Sequence, residues 1–282
     1  MAMRLTFLGT AAAQGYPDPF CACGNCERAR SLGGPSVRRR AAAILNDDLL
    51  LDFGPDLIGS SAALAIPLTN VRHVLVTHFH SDHFDPSNLL IRSRDYGVAA
   101  PPTLAVYATD YTLRRGSTTF IRDLGGYELF SPEAARDLDL AYRPIEPFEP
   151  FEAGPYRVIA FPASHDEGAV VWSVTRDGRT ILYATDTKTR PEETWSGFID
   201  HKLRFDIAVF DHTYGDVDDV RGHLTAREVA AHAMRLRSEG LLAEGGRVFG
   251  THISHESAPP HPELSALAAR LGYEIAFDGL TV

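Results

Sequence analysis

Short apolar runs, alternating or continuous, dominate the hydrophobic pattern of the chain, with helical spacing between them. Residues 4–8 alternate and are rich in β-branched and aromatic types, which predicts a strand. The small residues 9–15 then predict a loop that lets backbone approach closely. Residues 41–45 and 49–53 flank Asn46-Asp47-Asp48 as a hairpin that Asp52-Phe53-Gly54 brings to an end. Residues 57–65 read as a helix stopped before Pro67, and Val74-Leu75-Val76 as a buried strand. Pro86 suits the first turn of a helix reaching about Ser93.

Later in the chain, residues 156–161 predict a strand running into Pro162-Ala163-Ser164-His165. Residues 170–175 and 179–184 predict a hairpin turning at Asp177-Gly178, which delivers Thr185-Asp186-Thr187 at its end. A helix over 191–202 precedes a strand over 207–210, which leads into Asp211-His212-Thr213-Tyr214-Gly215. Thr225 with Glu228 three residues on is a capping-box signature, so His223 should lie just ahead of a helix ending near Glu239. A strand over 248–250 opens onto Thr251-His252-Ile253-Ser254-His255, and a helix over 262–271 with a strand over 273–277 closes the pattern. The segment at about 96–150 is less regular, with a strand over 104–107 and a short helix over 110–115. It is expected to be a variable, substrate-facing part, although its aromatics Phe120, Tyr127, Phe130, Phe148 and Phe151 are better explained by packing than as a substrate wall. Strand pairs followed by interleaved strands and helices predict an α/β (α+β) fold with two sheets face to face and helices outside.

Composition narrows this further. With 282 residues, 44% hydrophobic and 23% charged, the chain can bury a large core, and a single domain over 1–282 is expected. No apolar run approaches the length of a membrane span, and the start reads as a strand rather than a signal peptide, so a cytoplasmic protein is expected. The net charge of -10 disfavours an extended nucleic-acid interface. It leaves room for a small anionic substrate if bound cations reverse the local sign. All three cysteines stand at 21, 23 and 26, which is a poor disulfide framework and a good thiolate metal site lacking its fourth ligand. The oligomeric state is open, a homodimer included.

The strongest chemical signal is His78-Phe79-His80-Ser81-Asp82-His83, directly after a buried strand. On a continued strand His78 and His80 would share one side, whereas Asp82 and His83 would diverge, so the chain must turn sharply there. His165, Asp186 and His252 likewise follow apolar strands. One workable division gives His78, His80 and His165 to one divalent ion, gives Asp82, His83 and His252 to another, and lets Asp186 bridge them. Ions so paired, about 3.5–4 Å apart, bring the pKa of a shared water toward about 7 and clamp entering and leaving oxygens, which points to hydrolysis by a bridging hydroxide. Zinc, manganese and iron all suit these donors. Asp52 could orient a ligand imidazole, and His212 could stand behind the ligands. His73, His201, His232 and His261 are expected at the surface or partly packed.

The H-x-H-x-D-H run, with His165, Asp186 and His252 in that order, resembles the metallo-β-lactamase superfamily, whose four-layer αββα sandwich would span the chain. Phe7-Leu8-Gly9-Thr10, the cysteine knuckle, Thr185-Asp186-Thr187 and the closing Phe277-Asp278-Gly279 are similar to the accessory phosphodiesterases of the carbon-phosphorus lyase pathway. That resemblance implies a structural zinc on Cys21, Cys23, Cys26 and His255, with His252 left to the active site; the sequence alone allows the reverse. It also implies catalytic roles for Asp82 and for His223, which would contact phosphate and protonate the leaving oxygen. The expected activity is cleavage of small cyclic or nucleotide-like phosphodiesters. Hydrolysis of a neutral ester, lactone or thioester remains open, as does a non-hydrolytic cofactor-biosynthesis or carrier role of the pyrroloquinoline quinone B type.

Overall fold

The computed structural model describes residues 3–93, 96, 101–117, 129, 131–189, 191–217 and 222–282. Six strands form the first sheet in chain order: β1 (Leu5–Gly9), β2 (Ala42–Leu45), β3 (Leu49–Leu51), β4 (His73–Leu75), β5 (Leu104–Thr109) and β6 (Leu140–Ile145). Seven form the second: β7 (Phe151–Ala153), β8 (Tyr156–Pro162), β9 (Val170–Arg176), β10 (Arg179–Ala184), β11 (Phe205–Asp211), β12 (Leu242–Thr251) and β13 (Glu274–Ile275), ordered from β13 back to β7. Each sheet is antiparallel at its start and parallel later, the change coming after β3 in the first and after β10 in the second. The helices of the described residues are α1 (Gly24–Leu32), α2 (Leu57–Leu64), α3 (Asp110–Ser117), α4 (Pro132–Asp137), α5 (Glu192–Asp200), α6 (Ala226–Ser238) and α7 (His261–Leu271).

Three buried apolar clusters make the layers. Phe7, Leu49, Leu51 and Leu75 of the first sheet meet Val158, Trp172, Tyr183 and Phe249 of the second in the central core. Ile44, Val74, Val76 and Val106 face outward toward Leu57 and Leu113 on α2 and α3. Phe161, Leu182 and Phe210 face outward on the other side, toward Trp195, Phe198, Val229, Leu236 and Leu264 on α5, α6 and α7. The pleat explains the sorting. Along β8, Tyr156, Val158 and Ala160 enter the central core, and Ile159 and Phe161 enter the outer one. Burial of each such side chain contributes about 1.5–3 kcal/mol. The four-layer αββα arrangement expected from the sequence is therefore the one adopted.

Topology places the functional loops. Because β9 is antiparallel to both β8 and β10, and β10, β11 and β12 run parallel, the carboxyl ends of β8, β10, β11 and β12 lie along one edge. Every candidate ligand outside the cysteine knuckle follows such an end, in this sheet or at β4. Gly54 lets the histidine loop close on this edge: a Cβ there would stand 2.0 Å from the Asp82 carbonyl oxygen. The close approach is sealed by Phe53 N donating to His83 O at 2.7 Å and Asp85 N to Phe53 O at 2.8 Å.

Several expectations are corrected. The strand before the histidines stops at Leu75, so residues 77–80 reach the site as a loop, fixed where Thr77 N and Oγ1 donate to Asp52. The helix expected after Pro86 is a 3-10 helix, Pro86–Arg92. The strand expected over 248–250 is the end of the ten-residue β12, and the last strand shrinks to two residues. Strand β6 and helix α4, unseen in the sequence, complete the first sheet and its outer layer, so the described part of the 96–150 segment is more regular than expected. Phe148 packs on Phe161, and Phe151 on Tyr107 and Trp172. Phe120, Tyr127 and Phe130 lie outside the described residues. The capping box forms as expected, Thr225 accepting from Glu228 N and donating its own N–H to the Glu228 carboxylate.

Candidate metal centre

The turn after β4 closes quickly. His83 N and Phe84 N both donate to His80 O, at 3.0 and 2.8 Å, which brings His83 back under His78 with ring centroids 4.5 Å apart. His165, on the loop after β8, enters edge-on to His78 at 4.8 Å. Asp186 follows β10 and His252 follows β12, both in left-handed backbone (φ 46° and 60°), as is Asp52 after β3 (φ 65°). Asp and His tolerate this conformation better than most residues. The three strained positions are those that swing a side chain off a strand end into the cleft.

Three groups of donor atoms result, each within 4.8 Å: His78, His80, His165 and Asp186; Asp82, His83, Asp186 and His252; and Asp186, Asp211, His223 and His252. Asp186 belongs to all three, and the first two join the residues that the sequence assigned to one ion and to the other. Its Oδ2 stands 3.2 Å from His78 Nε2 and 2.7 Å from His83 Nε2. Asp82 Oδ2 lies 3.1 Å from His83 Nε2 and 3.5 Å from His252 Nε2. In the first group His80 Nδ1 faces His78 Nε2 at 2.9 Å and His165 Nε2 at 3.3 Å.

The electrostatics suit cations. Burial, reinforced by the neighbouring His83, lowers the pKa of His78, and burial pushes His165 down to about 4, so both rings are neutral and have a lone pair to offer at neutral pH. Burial opposes charge on His83 and Asp186 too, yet the surrounding carboxylates raise His83 well above its ordinary value, and the imidazoles hold Asp186 well below its own. His83 Nε2 and Asp186 Oδ1 are buried without a hydrogen-bond partner. Facing ring nitrogens, clustered carboxylates and orphaned donor atoms fit bound divalent cations.

Supporting groups fix the rings. His83 Nδ1 donates to Asp52 Oδ2 at 2.7 Å, so Asp52 orients that imidazole, one of the two outcomes the sequence left open. Thr213 Oγ1 holds His252 Nδ1 at 2.7 Å, and Asp166 Oδ2 holds His80 Nε2 at 2.7 Å. His223 Nδ1 donates to Asp211 Oδ2 at 2.7 Å and lies 3.3 Å from Asp186 Oδ1. Its ring stacks on His252 at 5.5 Å and stands 5.4 Å from His165, beside the first two groups. Burial disfavours charge on His223, but the adjacent Asp186 and Asp211 carboxylates outweigh it and push its pKa up to about 10.

Residues 48–253 match the family model described as Beta-lactamase superfamily domain. The chain belongs to this superfamily. A relative from Oryza sativa subsp. japonica, Cleavage and polyadenylation specificity factor subunit 2, is 31% identical over 164 residues, 52% of this chain. The match spans only 21% of that longer relative. Among solved structures, a new diphosphatase from the PhnP family superposes with a TM-score of 0.75 at 21% identity, covering 100% of this chain and 97% of its own. Zn(2+)-bound PqqB from Methylobacterium extorquens gives 0.73 at 20% identity, covering 99% of each chain. The short form of human tRNase Z gives 0.67 at 19%, covering 99% of this chain and 98% of its own. At such identities the likenesses establish the metallo-β-lactamase fold.

A separate donor group is formed by residues outside the matched segment 48–253. Cys21, Cys23, Cys26 and His255 bring four ligand atoms within 4.8 Å, with His255 Nδ1 3.7 Å from Cys23 Sγ. The Cys26 backbone N–H favours the Cys23 thiolate and lowers its pKa to about 6, while burial raises Cys26 to about 12. Asp18 Oδ2 stands 3.3 Å from the other ring nitrogen of His255, and Asn25 donates to the His255 carbonyl. His252 and His255 thus fall in separate donor groups.

Sequence reasoning missed Asp211, Thr213, Asp166 and Asp18. Asp211 ends β11 exactly as an acid ends β3, and that parallel was the available signal. His212 was singled out instead, but alternation turns it the other way, where Nε2 meets the Tyr273 hydroxyl at 2.8 Å outside the cluster. Of the remaining histidines, His73 is half-buried against Tyr107, His201 sits on Phe161, and His261 meets Arg38. His232, expected at the surface or partly packed, is more deeply placed: only 6% exposed, it lies beside Trp195 and Phe210.

Proposed function

We propose that the protein is a metal-dependent phosphodiesterase that hydrolyses small phosphodiesters, cyclic or nucleotide-like. The observation that carries this reading is the Asp211–His223 pair, an imidazole held by a buried carboxylate beside the ligand groups. Divalent ions held by His78, His80, His165 and Asp186 and by Asp82, His83, Asp186 and His252 would supply positive charge for phosphate oxygens and a nucleophilic water at neutral pH. Asp82 and Asp186 position the cleft's negative charge opposite the imidazoles. Asp211 keeps the Nδ1 proton of His223 engaged, so a proton on Nε2 is available to a leaving oxygen. A neutral ester has less use for that cationic group. The net charge of -10 supports a small substrate over a nucleic-acid polymer. By their names, a diphosphatase and tRNase Z stand among the proteins of like fold, which lends the reading further support.

We assign the Cys21, Cys23, Cys26 and His255 group to a structural zinc, which folds the loop that also carries His252. The test is metal analysis combined with a panel of aryl and cyclic phosphodiesters, lactones and thioesters. Turnover of phosphodiesters that falls about 10²–10⁴-fold in His223→Ala supports the reading. A fully metallated protein that cleaves only neutral esters, with His223→Ala unimpaired, overturns it.

A further inference from the structure

Two aromatic rings stand at the cleft outside the ligand groups. Phe79 lies between the ligands His78 and His80, and its ring is 5.0 Å from the His80 imidazole. Tyr111, in the first turn of α3, meets Phe79 at 5.9 Å and 67° and is 37% exposed. The Arg115 guanidinium, one helical turn further on, stands 5.6 Å from the Phe79 ring centre. Among the described residues, neither ring joins any of the three apolar cores. Core packing therefore does not account for them.

The fold fixes both rings to ligand-bearing loops. Gly168, three residues after His165, lies under Tyr111: a Cβ there would stand 3.0 Å from both Tyr111 Cβ and Cδ1. Its carbonyl accepts hydrogen bonds from Thr109 and Thr112 at the start of α3. Tyr111 is thus tied to the His165 loop, and Phe79 is part of the His78–His80 loop. Two rings at a steep angle form a notch in which a planar group can lie against one face and meet the other edge. The guanidinium adds positive charge beside it, suited to an anionic ligand.

We propose that Phe79 and Tyr111, with Arg115 beside them, form a stacking subsite for the aromatic portion of the substrate, a nucleobase or aryl group attached to the phosphate. The proposal rests on the phosphodiesterase reading and narrows its substrate class from small phosphodiesters in general to those bearing a planar ring. A ring bound here lies next to His80, at the ligand group that includes His165.

The experiment compares adenosine monophosphate with ribose 5-phosphate as inhibitors of bis(p-nitrophenyl) phosphate hydrolysis by the metallated protein. The two share a phosphate and a ribose and differ in the base. The adenosine compound is expected to inhibit about 5- to 100-fold more tightly, as one stacked base would give. Tyr111→Ala and Phe79→Leu, each checked for unchanged metal content, should collapse that ratio toward one. Equal inhibition in the unaltered protein, or a ratio that survives both substitutions, overturns the subsite. If the reporter is not hydrolysed, the phosphodiesterase reading fails by itself, and calorimetric titration of the same two ligands still decides the subsite by the same ratio.

Discussion

Asp52→Asn isolates the control that a buried carboxylate exerts over a ligand imidazole. Asp52 is fully buried, accepts from Thr77 N at 2.8 Å and Thr77 Oγ1 at 2.9 Å on one oxygen, and from His83 Nδ1 at 2.7 Å on the other. Asparagine tolerates the left-handed backbone at this position, so the substitution adds little strain. Its amide oxygen must stay on the Thr77 side, because the Thr77 backbone N–H cannot become an acceptor. The amide NH2 then faces His83 Nδ1 and requires a lone pair there, which moves the ring proton to Nε2. Nε2 is the atom 2.7 Å from Asp186 and 3.1 Å from Asp82, where a metal ligand must be unprotonated. Loss of such an orienting partner costs about 10–100-fold in metal affinity, or about 1.4–2.7 kcal/mol. Competition against a chromophoric chelator measures it, with metal content by mass spectrometry as the control. The cysteine group should keep its ion. Active-site affinity unchanged within about threefold would refute the tautomer argument, since that is well short of the loss expected from this class of contact.

Three further outcomes follow from the same geometry. Cys23→Ser should remove about one ion per chain and lower the thermal midpoint, because structural zinc contributes folding free energy; full metal content by elemental analysis would contradict the assignment. With His223 as the proposed proton donor, kcat/KM should fall along an alkaline limb at or below about pH 10, and the limb should move lower in Asp211→Asn. The raised folded value also means that the group's contribution to stability is complete below about pH 6.5 and is lost as pH rises through about 10; urea midpoints across that interval measure it, and a flat profile would remove the ion-pair argument. Thr225→Ala breaks the α6 capping box and should cost about 1 kcal/mol in urea unfolding while metal content stays the same.

The ligand set was legible because each member follows an apolar run, and the turn within 78–83 was forced by the parity of its residues. Pairing across the cleft was not legible. Asp211 looked no different from other acids, and only the register Asp211↔Thr251 shows that it emerges beside the His252 loop. Asp166 and Thr213 meet their partners across 86 and 39 residues of chain, contacts that local pattern does not encode. Strand β6 was hidden because Tyr142, Arg143 and Pro144 break its apolar alternation at an exposed sheet edge. The layered core was readable for the opposite reason: burial on both faces leaves continuous apolar runs such as 158–161.

Two residues, Ile253 and Ser254, separate the histidine of the cleft from the histidine of the cysteine group, and both are buried. So short a tether cannot absorb movement at one end without passing it to the other. Oxidation that joins two of the three thiols would free His255 and slacken the left-handed turn that aims His252. On the proposed zinc assignment, thiol damage more than a ligand's reach from the substrate would then register as lost catalysis, and newly made chains would become competent only after the knuckle was filled.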